Sequence, residues 1–320
     1  MNLIDFLSEE KTELCEHARK IIISPSLFPE TFCAQSREFS PFSTKGGTLP
    51  NLQEKLSSSF GYLLFRNLPV ECNRKTPENI HEHIGETTII ARIQAILLSY
   101  LGGEIITYEA EGDGHIFQDI IPVKNMETQQ TSIGSNVELE IHTEQAFSKY
   151  RPDFLSLACL RSDPNAWTYI LPINILLAHL SVEEIAFLKQ PLWNIGVDLS
   201  FRLRGEAFME GDIRGPIPIL SFLQADIFLC FDQDLMVGIT EEAQEMISKI
   251  VQIYYEHRIS ICLQPGDILI LDNRKVVHGR SAFSPKYDGT DRFLVRCFAT
   301  LDFSKSESVR KGRMVLAKYS

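Results

Sequence analysis

From about residue 104 onward the chain is a succession of short apolar runs cut by turn residues, and this limits the fold more than any other feature. Candidate strands are 105–108, 137–142, 154–160, 219–223, 227–231, 259–263, 267–271 and 292–300. Many short strands separated by turns predict a β-sandwich or barrel. The first hundred residues read differently. A helix opens at Ser8-Glu9-Glu10, loop-like stretches follow at 24–29 and 40–47, Gly61 to Val70 reads as a buried strand, and 77–100 reads as helical, stopped by Gly102-Gly103. Within the strand-rich part, helices are predicted at 171–180, at 181–188 with Ser181 and Glu184 spaced as a capping box, and from Thr240 to about His257. Gln264-Pro265-Gly266-Asp267 predicts a turn just before the strand of His278.

One of these strands carries His142 and, two residues on, Glu144. In extended chain that spacing puts both side chains on one face. His278 follows the apolar strand 268–272 and reads as ending it. Two imidazoles and a carboxylate gathered on one side of a metal leave its other positions open, the geometry of non-haem Fe(II) oxygenases. A lone His-x-Glu is weak evidence, and a lone His278 would more often be a core or turn residue. The next apolar strand adds weight, because Arg292 and Arg296 share a face of it. Two inward guanidinium groups are costly without anionic partners, and bidentate carboxylate binding suits arginine.

The segments 130–135, 142–147, 150–155, 159–164, 272–274 and 291–296 resemble, in order and spacing, the Fe(II)/2-oxoglutarate-dependent oxygenases of the clavaminate synthase-like group, which includes free-amino-acid hydroxylases. The resemblance implies a mainly β fold, a distorted double-stranded β-helix (jelly-roll, cupin-like) core with flanking helices. It implies Fe(II) held by His142, Glu144 and His278, with 2-oxoglutarate and O2 as cosubstrates. Arg292 would take the distal carboxylate of 2-oxoglutarate, with Thr168 donating a hydroxyl hydrogen bond; Thr168 reads equally well as an ordinary strand threonine. Arg296 matches the position that binds a substrate α-carboxylate, and Glu111 falls where relatives meet the α-amino group. Asp232 and Asp234 fall at the side-chain pocket, though alternate aspartates after a strand often just line a turn. Ser132, Ser135 and Asn136 precede the ligand strand and would line the same pocket. The remaining histidines, among them His81, His83 and His115, lack partners at ligand spacing and read as helix-surface, loop or structural residues.

The expectation is one oxygenase domain over 1–320: a helical and strand region to 103, a jelly-roll core over 104–304 with a helical insert at 171–190, and a tail from 305. The Gly-rich charged stretch 202–215 reads as a surface excursion or as a lid. The reaction expected is hydroxylation of a free L-amino acid, most readily a basic one, since paired carboxylates suit a guanidinium or ammonium. The rivals are asparagine, another neutral or a carrier-bound amino acid, a desaturation or cyclisation outcome, and a non-catalytic jelly-roll binding protein. Glu144 argues against a halogenase, which needs that ligand position for halide.

A net charge of −11 disfavours nucleic-acid and anionic-membrane partners. No apolar run is long enough to span a bilayer, and the acidic N-terminus lacks the pattern of a signal peptide. Seven scattered cysteines with no Cys-x-x-Cys pair suit free thiols in a reducing cytoplasm. The oligomeric state is left open.

Overall fold

The computed structural model describes residues 3–39, 52–56, 61–71, 74–198, 201, 212–223 and 226–319. The principal sheet runs in the order β1 (Leu3–Ile4), β2 (Tyr62–Phe65), β14 (Ile268–Asp272), β6 (Phe154–Arg161), β16 (Phe293–Thr300), β3 (Glu104–Tyr108), β18 (Met314–Val315) and β17 (Arg310–Lys311), with β4 (Gln118–Ile120) also pairing β16. The second sheet runs β13 (Ile259–Ile261), β7 (Thr168–Pro172), β15 (Val276–Arg280) and β5 (Leu139–His142), all antiparallel. This is the jelly-roll arrangement of two sheets enclosing one interior, antiparallel except for the β1–β2 and β3–β18 pairs of the principal sheet.

Strand β16 shows why its sequence reads as a continuous apolar run. Phe293, Val295, Cys297 and Ala299 pack outward against helices α1 (Ser8–Lys20), α2 (Pro29–Arg37) and α4 (Ile89–Tyr100). Leu294 and Phe298 point inward to meet Leu157, Ile170 and Val276 between the sheets. Both faces are covered, so alternation of polarity disappears while alternation of direction persists. A short helix, α3 (Leu52–Lys55), precedes β2.

The second sheet is covered on its outer face by α5 (Ile173–Ala178), α6 (Val182–Phe187) and α7 (Glu241–His257), together with β8 (Trp193–Gly196), β9 (Ile213–Ile217), β10 (Leu220–Leu223), β11 (Asp226–Leu229) and β12 (Met236–Gly238). The caps are those the sequence predicts: Ser181 Oγ accepts the Glu184 N–H at 3.2 Å, and Thr240 Oγ1 accepts the Ala243 N–H at 3.1 Å.

Several expectations need correction. His278 does not end the 268–272 strand. A turn at 272–275 carries the chain out of the principal sheet, and His278 lies on β15 in the opposite one. The Gln264–Asp267 turn therefore precedes β14, not the His278 strand. The 171–180 segment begins as the end of β7 and becomes helical only at Ile173, because its first residues pair with β15. The 77–100 region holds two 3-10 turns, Ile80–Glu82 and Ile84–Thr87, before α4; His83 between them is left-handed (φ 48°), which breaks the helix. Of the stretch 202–215, residues 202–211 lie outside the described residues, and 213–215 belong to β9. No helix among the described residues is long and apolar enough to cross a membrane.

Candidate active site

His278 on β15 stands directly across from His142 on β5, with ring centroids 4.4 Å apart. Glu144 lies two residues past the end of β5, and its Oε2 is 3.7 Å from His278 Nε2. One donor atom from each of the three lies within 4.8 Å of the others. Antiparallel pairing supplies the two imidazoles, and a local anchor supplies the carboxylate. Asn273 Oδ1 accepts the Glu144 N–H at 2.6 Å, and its Nδ2 donates to the carbonyls of Glu144 and Pro152 at 3.0 and 2.8 Å. Between the ligands, the Thr143 N–H donates to the Phe231 carbonyl at 2.7 Å, which ties this strand end to the segment carrying Asp232.

The donor set fits a divalent metal. His142 Nδ1 sits 2.8 Å from the Glu140 carbonyl; donation there leaves Nε2 as the free donor. Burial, then the neighbouring His142 and Arg296, holds His278 well below the usual histidine range, in the neutral form a metal needs. Gly279 is required beside it, since a Cβ there would come within 2.6 Å of the Leu139 carbonyl and 3.0 Å of Tyr254 Oη.

Arg296, from the principal sheet, reaches the same place. Its Nη1 is 3.4 Å from Glu144 Oε1, its Nη2 pairs with Glu111, and its Nε donates to Gln118 Oε1 at 2.9 Å. Gln145 Nε2 also donates to Glu111, at 2.8 Å. Burial pushes the Glu111 carboxyl up while Arg296 pulls it down. Asp232 is 8 % exposed, and one of its carboxylate oxygens accepts the N–H groups of Asp234 and Leu235 at 3.0 and 2.9 Å.

These groups line a cavity that includes His142 and Glu144. Its wall carries Glu111, Glu140, Glu144, Asp198, Asp232 and Asp234 against Arg296. Ser132 lines it; Ser135 is buried outside the lining, and Asn136 is exposed, its N–H donating to the Glu127 carbonyl at 2.8 Å. A second cavity shares Glu111, Thr131, Ser132 and Arg296 with the first and extends to His81, His83, Asp113 and Asp119.

Deeper between the sheets, Arg292 is buried and, among the described residues, has no hydrogen bond or ion pair. Burial holds it down at about 10. Arg280 on β15 faces Thr168 on β7 and lies near Arg292; burial and that neighbour hold it at about 9. Thr168 Oγ1 and Arg280 Nε are buried without partners. Arg280 already donates from its Nη1 and Nη2 to the carbonyls of Gly134 and Val137, so the buried Arg292 guanidinium and the unbonded Thr168 hydroxyl are the groups that suit a carboxylate ligand. Sequence reasoning passed over Arg280, Asn273, Gln118, Gln145, Asp198 and Glu140. Only Arg280 and Asn273 carried a signal, their proximity to His278 in the chain.

A jelly roll with two histidines and a carboxylate facing an interior cavity is the frame of a metal-dependent oxygenase. Residues 222–298 match the model of the taurine catabolism dioxygenase TauD, TfdA family. The chain is 44 % identical to an L-lysine 3-hydroxylase of Catenulispora acidiphila, over 98 % of this chain and 89 % of that one. It is 31 % identical to an L-asparagine oxygenase of Streptomyces coelicolor, over 78 % and 74 %. A solved asparagine oxygenase in complex with Fe(II), 2S,3S-3-hydroxyasparagine and succinate superposes with a TM-score of 0.84 at 26 % identity, covering 99 % of both chains. The chain belongs to the Fe(II)/2-oxoglutarate-dependent oxygenases of the TauD/TfdA-related, clavaminate synthase-like group. Its cofactor is Fe(II), and its cosubstrates are 2-oxoglutarate and O2.

Proposed function

We propose that the protein hydroxylates free L-lysine at C3, with His142, Glu144 and His278 holding the iron. The observation that carries this reading is the cavity beside those ligands, where six carboxylates face one guanidinium, in a chain 44 % identical to an L-lysine 3-hydroxylase. When bound, iron, 2-oxoglutarate and O2 supply an oxidant that replaces an unactivated C–H by C–OH, with succinate and CO2 as co-products.

The chain's own residues bind, orient and exclude water. Arg292, with Thr168 and Arg280 beside it, takes the distal carboxylate of 2-oxoglutarate away from water. Arg296 takes the substrate α-carboxylate and Glu111 its ammonium. Because Arg296 lies within hydrogen-bonding range of Glu144, an α-carboxylate anchored there keeps the carbons next to Cα closest to the iron ligands. Asp232, with Asp234, Glu140 and Asp198 along the wall, meets the ε-ammonium. Residues 1–320 act as one oxygenase domain, a reading supported by strands from both ends of the described chain in the principal sheet. Free thiols at all six described cysteines suit a cytoplasmic setting.

The test is product formation from lysine, ornithine, arginine and asparagine by the wild type and Asp232→Asn. Asparagine at 232 keeps an acceptor for the two N–H groups, so the turn survives. Removing the charge should weaken turnover of lysine by about 2–5 kcal/mol of transition-state binding and leave asparagine nearly untouched. A wild type that hydroxylates asparagine and ignores every basic amino acid would make the protein an asparagine oxygenase instead.

A further inference from the structure

His81, His83 and Asp113 are far apart in two segments of the chain, yet the fold brings them together at the edge of the second cavity. One side-chain donor atom from each lies within 4.8 Å of the others. His81 Nδ1 is 3.0 Å from Asp113 Oδ2. His83 Nδ1 is buried and has no hydrogen-bond partner. Its ring is held by His115, stacked face to face with centroids 3.6 Å apart and planes 10° from parallel. His115 is itself fixed by Ser26, whose Oγ is 2.9 Å from its Nδ1, and by Glu86. His83 and Asp113 both adopt left-handed backbone, φ 48° and 57°, a conformation that is costly for a non-glycine residue.

We propose that these three residues form a second divalent-metal site, separate from the catalytic ligands and suited to a d-block ion such as zinc. Two imidazoles and one carboxylate prefer zinc, nickel or copper over magnesium or calcium. An ion there cross-links the 80–83 turn to the turn carrying Glu111, two residues before Asp113, and so steadies the partner of Arg296. A metal also gives the orphaned His83 nitrogen a partner, which the bare His81–Asp113 pair does not.

The test is zinc content after equilibrium dialysis of the full-length protein, with folding checked by thermal unfolding. Zinc can also enter the catalytic ligands, so the deciding measurements use the His278→Ala background. That variant should retain one equivalent. Adding His83→Asn, which tolerates the left-handed backbone, or Asp113→Asn should reduce it to none. No zinc in His278→Ala, or an equivalent that survives both added substitutions in folded protein, overturns the proposal and leaves a plain histidine–aspartate pair.

Discussion

Asn273 touches the backbone of one metal ligand and nothing of the metal, yet three hydrogen bonds to buried groups converge on its side chain. Asn273→Ala leaves the Glu144 N–H and two carbonyls unpaired, at about 1–3 kcal/mol for each orphaned group. The expected outcome is an iron affinity 10–100-fold weaker, as for other groups that position a ligand from behind it, read by Fe(II) titration of a variant that still folds. Arg292→Ala separates the two carboxylate sites: the requirement for 2-oxoglutarate should rise far more than that for the amino acid, and equal effects in steady-state assays would show Arg292 serves both. Much of this was legible from spacing alone. His142 and Glu144 share a face because they are two apart at a strand end, and Arg292 and Arg296 share one because they are four apart. Asn273 was not legible, because its role depends on a backbone group far away in sequence. His81, His83 and Asp113 were missed for a related reason: the left-handed turns that bring them together leave no periodic trace.

Strand β15 carries opposite duties on its two faces. Val276, His278 and Arg280 point into the interior, while Val277 and Gly279 face α7. Gly279→Ala would push a methyl against the Leu139 carbonyl, a backbone atom of the partner strand that cannot swing away. Overpacking of this kind costs about 1–3 kcal/mol. Because the same pairing sets His278 opposite His142, metal binding should suffer more than stability. Denaturant unfolding beside metal titration checks this; a lost midpoint with unchanged metal affinity would count against it. At this scale the apolar runs announced β6, β14 and β16, whereas β8, β12 and β15 went unmarked. Those strands are short, and their neighbours in space are remote in sequence. The turn at 272–275 hid the change of sheet because His278 was read as the end of the apolar strand that precedes it.

For the whole molecule, Asp119 on β4 is a source of pH dependence. Burial pushes its carboxyl up to about 7, against the pull of the Gly85 N–H that donates to it at 3.0 Å. An unfolded aspartate ionises near 4, so between about pH 4 and 7 the unfolded chain has released a proton the native state still holds. Stability therefore falls as pH rises through that window and stays lower above it. Asp119→Asn removes the loss: its urea midpoint, in chelator-treated buffer, should exceed the wild type's at pH 8 by the equivalent of a few kcal/mol and match it at pH 4. A sandwich or barrel was predicted from the rhythm of strands and turns, and a jelly roll from the family resemblance, but which sheet carries which residue was not. The metal ligands stand on or beside one sheet, Arg296 on the other and Arg292 at its edge. Leu157, Ile170, Val276 and Leu294 fill the gap, with Leu157 paired beside Arg296 and Ile170 paired beside His278. Trimming or enlarging one of them shifts the backing of an iron ligand or of the anchored carboxylate, which makes this hydrophobic filling a dial for which carbon is attacked.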